Sequence, residues 1–128
     1  MSASIWRLAV RSEFSAAHAL RHYQGKCEAL HGHNFAVEVT VEGEKLAERT
    51  ELLMDFKEIK ERLKTVLERL DHQDLNQLQA FGLHNPSSEN IAAWIFQELK
   101  PLFADQPARL HSVSVSEKSA QTATYLEL

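Results

Sequence analysis

The stretch HGHNFAVEVTV at residues 31–41 decides the fold, because apolar and other residues alternate along it. Every odd-numbered residue from 35 to 41 is large and apolar, and polar residues occupy most of the positions between them. A period of two is typical of a β-strand with one buried face. His31 and His33 continue the apolar parity, so the strand carries two imidazoles towards its buried side. Gly43 is expected to end it.

The chain before this stretch alternates in the same way from Leu8 to His18, which predicts a neighbouring strand. Its face of apolar parity carries Leu8, Val10, Ser12, Phe14, Ala16 and His18. Residues 19–30 lie between the two strands, contain Gly25 and show no period. We therefore expect a functional loop there.

Two helices are predicted further along the chain. Asp55, followed by Glu58, resembles a capping box at the start of the first helix. The apolar stripe of that helix is Phe56, Ile59, Leu63, Val66, Leu67 and Leu70. Ser87 or Ser88 can cap the second helix, and Pro101 ends it. Its stripe is Ile91, Trp94, Ile95 and Leu99.

The last part of the chain predicts two more strands, one around Val113 and Val115 and a shorter one from Thr122 to Leu128. The expected fold class is α+β, with a four-stranded antiparallel sheet, two helices on one face and the order ββααββ. Such a sheet leaves two open edges, and pairing between subunits would cover them. We therefore expect an oligomer.

Composition excludes several classes of protein. With 128 residues, the chain is expected to form a single domain over residues 1–128. It has 14 Lys and Arg against 18 Asp and Glu, a net charge of −4, which disfavours nucleic-acid binding. One cysteine excludes an intramolecular disulfide. No apolar stretch approaches the ~18 residues of a membrane span, and residues 1–6 do not resemble a signal peptide. A cytoplasmic location is expected.

Three of the seven histidines predict a metal site. If both strand assignments hold, His18, His31 and His33 lie on the side of the sheet that the helices cover. His31 and His33 would then lie on one face, about 7 Å apart. Three neutral imidazoles with an open fourth position are typical of catalytic zinc. The alternative is three satisfied core histidines, but burying several unpaired imidazoles is costly, which favours a metal.

Four further residues are candidates for chemistry. Cys27 lies four residues before His31, and a thiol beside a cation can act as nucleophile or base, although a lone cysteine is more often an inert apolar residue. Asp71 and His72 follow the first helix, where an aspartate can orient a histidine, or both can lie in a solvated loop. Glu117 shares the parity of the core. It can accept two hydrogen bonds from an amidine-like edge or lie in water at the strand end.

Six segments together resemble the 6-pyruvoyl-tetrahydropterin synthase family, in the right order and over nearly the whole chain. They are residues 14–18, 27–33, 54–56, 70–76, 85–89 and Glu117. The spacing Cys-x-x-x-His-Gly-His is similar to the bacterial branch, the 6-carboxy-5,6,7,8-tetrahydropterin synthases of queuosine precursor synthesis. The biopterin-forming branch tends to have a longer gap.

The resemblance implies a tunnelling fold (T-fold), in which subunits join their sheets into a barrel and two rings stack. A homohexamer built as a dimer of trimers, with active sites at subunit interfaces, would follow. The resemblance also implies Zn²⁺ on the three histidines. It implies Cys27 as the residue that transfers protons, with Asp71 and His72 as its partners across a subunit boundary.

The resemblance further implies a small-molecule substrate, 7,8-dihydroneopterin triphosphate. Glu117 would anchor the amino-pyrimidine edge, helped by Ser87 and Ser88, and Lys26 would meet the anionic part. The products would be 6-carboxy-5,6,7,8-tetrahydropterin, acetaldehyde and triphosphate, with no nicotinamide or flavin. Two alternatives stay open. One is a 6-pyruvoyltetrahydropterin synthase that only eliminates triphosphate, and the other is a pterin- or metal-binding module without turnover.

Overall fold

Five strands form one sheet in the computed structural model, which describes residues 3–128. The strands are β1 (Trp6–His18), β2 (His31–Gly43), β3 (Gln73–Asp74), β4 (Arg109–Lys118) and β5 (Gln121–Leu126). Their order across the sheet is β3-β1-β2-β4-β5. All neighbours are antiparallel except β1 and β3, which are parallel. β1 and β2 pair over their full length, from Trp6 opposite Gly43 to His18 opposite His31.

Two α-helices pack against this sheet, α1 (Phe56–Leu67) on β1 and α2 (Ser88–Leu99) on β4 and β5. The predicted cap residues are confirmed, since the Asp55 carboxylate accepts the Lys57 N–H at 2.8 Å and the Ser87 hydroxyl accepts the Asn90 N–H at 3.2 Å. The capping box is not formed, because within residues 3–128 the Glu58 side chain makes no hydrogen bond to the Asp55 N–H. Short 3₁₀ turns occupy Lys26–Glu28, Leu75–Gln77, Gln79–Phe81 and Lys100–Phe103. Among residues 3–128, no helix is both long and apolar enough to span a bilayer.

The α+β class is confirmed, but the expected four-stranded antiparallel sheet is wrong. The sheet has five strands and is mixed, because β3 pairs in parallel with the end of β1, Gln73 opposite Ala16 and Asp74 opposite Ala17. The element order is therefore β1-β2-α1-β3-α2-β4-β5. A strand of two polar residues is too short to show a period, so its sequence carries no signal.

The alternation in the two long strands is confirmed by burial. Phe35, Val37, Val39 and Val41 are fully buried, as is His18 at the end of β1. Phe14 stacks on Phe35, with 4.9 Å between ring centroids. The side chains of apolar parity therefore form the floor of one hydrophobic core that also takes in both helices.

At two positions, the structure differs from the pattern of burial that the sequence predicts. Phe56 is 48% exposed, so the buried stripe of α1 begins one turn later, at Ile59. His111 has the parity of Val113 in the sequence, but a register shift places Leu110 opposite Val41 instead. Such a bulge inserts one residue into a strand and reverses the parity beyond it, which alternation alone cannot reveal.

The packing of α1 predicts a large cost for truncating its stripe. Leu63→Ala should lower the free energy of unfolding by about 2–5 kcal/mol, because Leu63 is almost fully buried and its loss leaves a cavity. Lys64→Ala, at the exposed neighbouring position, should change it by less than about 0.5 kcal/mol. Urea denaturation followed by circular dichroism measures both. Equal effects of the two substitutions would contradict the assigned face.

Candidate metal centre

Three imidazoles meet where β1 ends and β2 begins. The antiparallel register sets His18 opposite His31, and Ala16 opposite His33. The ring centroids are 4.6 Å apart for His18 and His31, 4.8 Å for His31 and His33, and 5.3 Å for His18 and His33. One ligand nitrogen from each ring lies within 4.8 Å of the other two. The three histidines singled out from the sequence are thus together, and they could hold a metal ion.

In two of these rings, one nitrogen is hydrogen-bonded to a backbone carbonyl oxygen. His18 Nδ1 lies 2.6 Å from the Pro86 carbonyl oxygen, and His31 Nδ1 lies 2.7 Å from that of Ala29. A carbonyl only accepts, so each Nδ1 carries a proton, and Nε2 is the nitrogen that can offer a lone pair to a metal. The partners of metal-bound histidines fix the ring in the same way. His18 Nε2 is buried and has no hydrogen-bond partner within residues 3–128.

Glu117 lies against the same nitrogens. One of its carboxylate oxygens is 3.3 Å from His18 Nε2, and the other is 3.5 Å from His33 Nε2. Burial lowers the pKa of His33, although the charge of Glu117 opposes that shift. A neutral imidazole with a free lone pair can bind a metal, whereas an imidazolium cannot. Lone pairs and a carboxylate that converge on one point form an arrangement that a divalent cation suits.

The loop between β1 and β2 brings Cys27 and Lys26 near the backbone of the triad. Both lie on the turn Lys26–Glu28, whose Cys27 carbonyl accepts the Leu20 N–H at 2.8 Å. Cys27 is a free, partly exposed thiol, and Lys26 is exposed. Within the described residues, neither side chain forms a hydrogen bond or ion pair with the three histidines.

Asp71 and His72 form a pair at the β3 edge of the sheet. Asp71 accepts the Ser15 N–H at 2.9 Å with one oxygen and lies 2.8 Å from His72 Nδ1 with the other. The Ser15 N–H, and after it His72, lower the pKa of Asp71. The His72 backbone has φ of 61°, in the left-handed region, and its N–H donates to the Ser15 carbonyl at 2.6 Å. Its side chain is 81% exposed.

An open groove lies between His72 and the ends of β1 and β2. It has a volume of about 530 Å³, and both His33 and His72 line it, together with residues from the ends of β1 and β2. His72 and one residue of the triad therefore border the same groove. Cys27 does not line this groove.

The two serines before α2 have different surroundings. The Ser87 hydroxyl caps the helix, whereas the Ser88 hydroxyl lies 3.5 Å from a Glu117 carboxylate oxygen. Ser88 and Glu117 also line a cavity of about 220 Å³, with Glu89 and residues of β5. Ser88 thus contacts Glu117, whereas Ser87 stabilises the start of α2.

The sequence did not reveal the groups that orient the triad. The carbonyl oxygens of Pro86 and Ala29 are backbone atoms and leave no side-chain pattern. Asn76 and Asn85 lie in segments that carried the family resemblance, but nothing in their spacing showed that their amides bind the backbone of residues 19 and 21.

Known proteins resemble this chain over most of its length. Residues 7–127 match the family model described as 6-pyruvoyl tetrahydropterin synthase. A 6-carboxy-5,6,7,8-tetrahydropterin synthase of Synechocystis sp. is 41% identical over 125 residues, which cover 94% of this chain and 93% of that protein. A dihydroneopterin monophosphate aldolase of Pyrococcus furiosus is 39% identical over 94 residues, or 73% of this chain and 75% of that protein.

Solved structures agree with this relationship. The structure of 6-pyruvoyl tetrahydropterin synthase from Caenorhabditis elegans has a TM-score of 0.86 and 27% identity, and the match covers 100% of this chain and 99% of that one. The resemblance drawn from the motifs is confirmed, because the family match spans the strands, both helices and all three clustered histidines. The chain belongs to the 6-pyruvoyl tetrahydropterin synthase family.

Proposed function

We propose that this chain is a zinc-dependent 6-carboxy-5,6,7,8-tetrahydropterin synthase, a lyase of queuosine and 7-deazapurine biosynthesis in the cytoplasm. It converts 7,8-dihydroneopterin triphosphate and water to 6-carboxy-5,6,7,8-tetrahydropterin, acetaldehyde and triphosphate. The observation that carries the proposal is the buried His18, whose unpaired Nε2 lies beside two further imidazoles. The 41% identity to the Synechocystis enzyme of that name supports the choice of reaction.

The donor set of the triad fits zinc. His18, His31 and His33 offer three imidazole nitrogens, and catalytic zinc sites use three protein ligands and leave a fourth position for substrate. The Pro86 and Ala29 carbonyls already hold two of the rings, so binding does not have to order them. When bound, zinc supplies a Lewis acid that polarises an oxygen of the substrate side chain.

Cys27 and the pair of Asp71 and His72 are proposed to move protons at the substrate side chain. A thiol near a cation is readily deprotonated and can take a proton from the carbon next to the ring. Asp71 holds Nδ1 of His72, which leaves the other ring nitrogen free to accept or donate a proton. His72 is mostly exposed at the sheet edge, a position from which it could serve the site of a neighbouring subunit.

Glu117 and Ser88 are proposed to bind the pterin. Their cavity of about 220 Å³ has a carboxylate on its wall, and a carboxylate can accept two parallel N–H bonds from an amino-pyrimidine edge. Ser87 holds the start of α2 beside them. Lys26 is exposed on the neighbouring turn, where its ammonium could attract the triphosphate.

A homohexamer with active sites between subunits completes the proposal. β3 and β5 are the two outer strands of the sheet, and each has one side without a partner strand in the part of the chain that the structure describes. Exposed sheet edges invite pairing with another chain. Pairing at the β3 edge would also cover His72 and the groove beside it.

Removal of one imidazole should release the metal. We expect the wild-type protein to retain about one zinc per chain after dialysis, and His31→Ala to lose most of it, because two nitrogen ligands hold zinc far less well than three. His31 is only partly buried, so the variant should fold. His84→Ala, at an exposed histidine outside the triad, is the matched control. Atomic emission measures the zinc, and unchanged content in His31→Ala would show that the ligand set is wrong.

Turnover tests the reaction itself. Incubation of the zinc-loaded protein with 7,8-dihydroneopterin triphosphate should yield 6-carboxy-5,6,7,8-tetrahydropterin by mass spectrometry, together with trapped acetaldehyde. Cys27→Ala should keep its zinc but lose about 10²–10⁴-fold in kcat, the range that proton transfer by a side chain contributes.

The products separate the alternatives. A pyruvoyl pterin without acetaldehyde would assign the chain to the sister reaction of the family. Turnover of the monophosphate alone would favour the aldolase activity named for the Pyrococcus relative. Full turnover by Cys27→Ala would reject the assigned role of the thiol.

A further inference from the structure

Residues 19–21 directly follow the end of β1, and two asparagine side chains hold them. Asn76 accepts the Ala19 N–H at 2.8 Å and donates to the Ala19 carbonyl at 2.9 Å. Asn85 does the same at Arg21, with distances of 2.8 and 2.9 Å. A primary amide offers both an acceptor and donors, so each asparagine satisfies both backbone groups of one residue.

Leu20 and the side chain of Arg21 form further hydrogen bonds that hold this segment. The Leu20 N–H donates to the Cys27 carbonyl at 2.8 Å, and the Arg21 guanidinium donates to the carbonyls of Phe81 and His84. All three residues that follow His18 are thus fixed by hydrogen bonds from distant parts of the chain. The turn that carries Cys27 depends on the same segment.

Asn85 connects this segment directly to the metal centre. It precedes Pro86, whose carbonyl oxygen lies 2.6 Å from His18 Nδ1. The Pro86 carbonyl belongs to the peptide shared with Ser87, the cap of α2, and the proline ring fixes φ, so the direction of this carbonyl also depends on what holds Asn85. That residue is held twice, through its side chain on Arg21 and through its carbonyl, which accepts from Asn90 Nδ2 at 2.8 Å.

We propose that Asn76 and Asn85 are positioning residues of the metal centre, which keep His18 in the Nδ1–H tautomer with Nε2 turned to the triad. The inference rests on the proposed zinc function. Either nitrogen of a neutral imidazole can carry the proton, and the hydrogen bond at one nitrogen decides the state of the other. Asn76 holds the residue that follows His18, and Asn85 immediately precedes Pro86, so without them the ring and the carbonyl lose their alignment and the tautomer loses its selection.

The tautomer of His18 in the metal-free protein is the first measurement. Long-range ¹H–¹⁵N NMR of the imidazole ring should show Nδ1–H in the wild type and a mixture of both tautomers in Asn85→Ala and Asn76→Ala. Asp55→Ala is the matched control, because it loses a helix cap that shares no hydrogen bond with His18, Asn76 or Asn85. It should retain the wild-type spectrum, so a general loss of stability cannot imitate the effect.

Zinc affinity, measured by competition with a chelator, is the second readout. Asn85→Ala should bind zinc about tenfold more weakly or worse, since loss of the partners that orient metal ligands costs ~10–100-fold in affinity. Asn85→Asp keeps the acceptor for the Arg21 N–H but sets a carboxylate oxygen against the Arg21 carbonyl in place of the donor, so it should also weaken zinc binding. Asp55→Ala should match the wild type.

The outcomes separate this inference from the proposed function. A wild-type tautomer and wild-type zinc affinity in Asn85→Ala and Asn76→Ala would overturn the positioning role. If Asn85→Ala does not fold, Asn76→Ala and Asn85→Asp decide by the same readouts. If the wild type itself binds no zinc, the proposed function fails, while the NMR measurement still decides whether the asparagines select the tautomer.

Discussion

The antiparallel register of β1 and β2 is the constraint on which the rest of the structure depends. Because His18 pairs with His31 and both strands alternate between a buried and an exposed face, one register buries the apolar side chains and also gathers three imidazoles. A slip by one residue would turn the apolar set to the other face and scatter the histidines. The core and the candidate metal centre are therefore fixed together, and the apolar residues stabilise the position of the polar ones.

Without a bound cation, the candidate metal centre lowers the stability of the fold. His18 is buried with one nitrogen unpaired, and the Glu117 carboxylate faces the same nitrogen. A buried polar atom without a partner destabilises a fold by about 1–3 kcal/mol. The network that holds His18, from the Pro86 carbonyl to the Asn85 amide, keeps this arrangement in place. A divalent cation bound to the three histidines would remove this cost.

Much of the fold and of the triad could be predicted from alternation, because a period of two survives in any strand with one buried face. The parity of His18, His31 and His33 placed them correctly on the core side. β3 could not be predicted, because two polar residues show no period. The bulge beside Leu110 could not be predicted either, because it changes the register without a change of composition. The orientation of the imidazoles could not be predicted for another reason. It is set by backbone carbonyls, and by side-chain amides that are distant in sequence. The predicted role of Cys27 has no counterpart in the contacts of the site. Its thiol has no partner in the triad within the described residues, so this role rests on the chemistry proposed for it.

The central claim is that the three histidines bind zinc through Nε2 and leave a position open for substrate. X-ray absorption at the zinc edge of the metal-loaded protein tests it most directly. The account predicts three imidazole nitrogens at about 2.0–2.1 Å and no sulfur. A sulfur shell at about 2.3 Å, or fewer than three imidazoles, would contradict it.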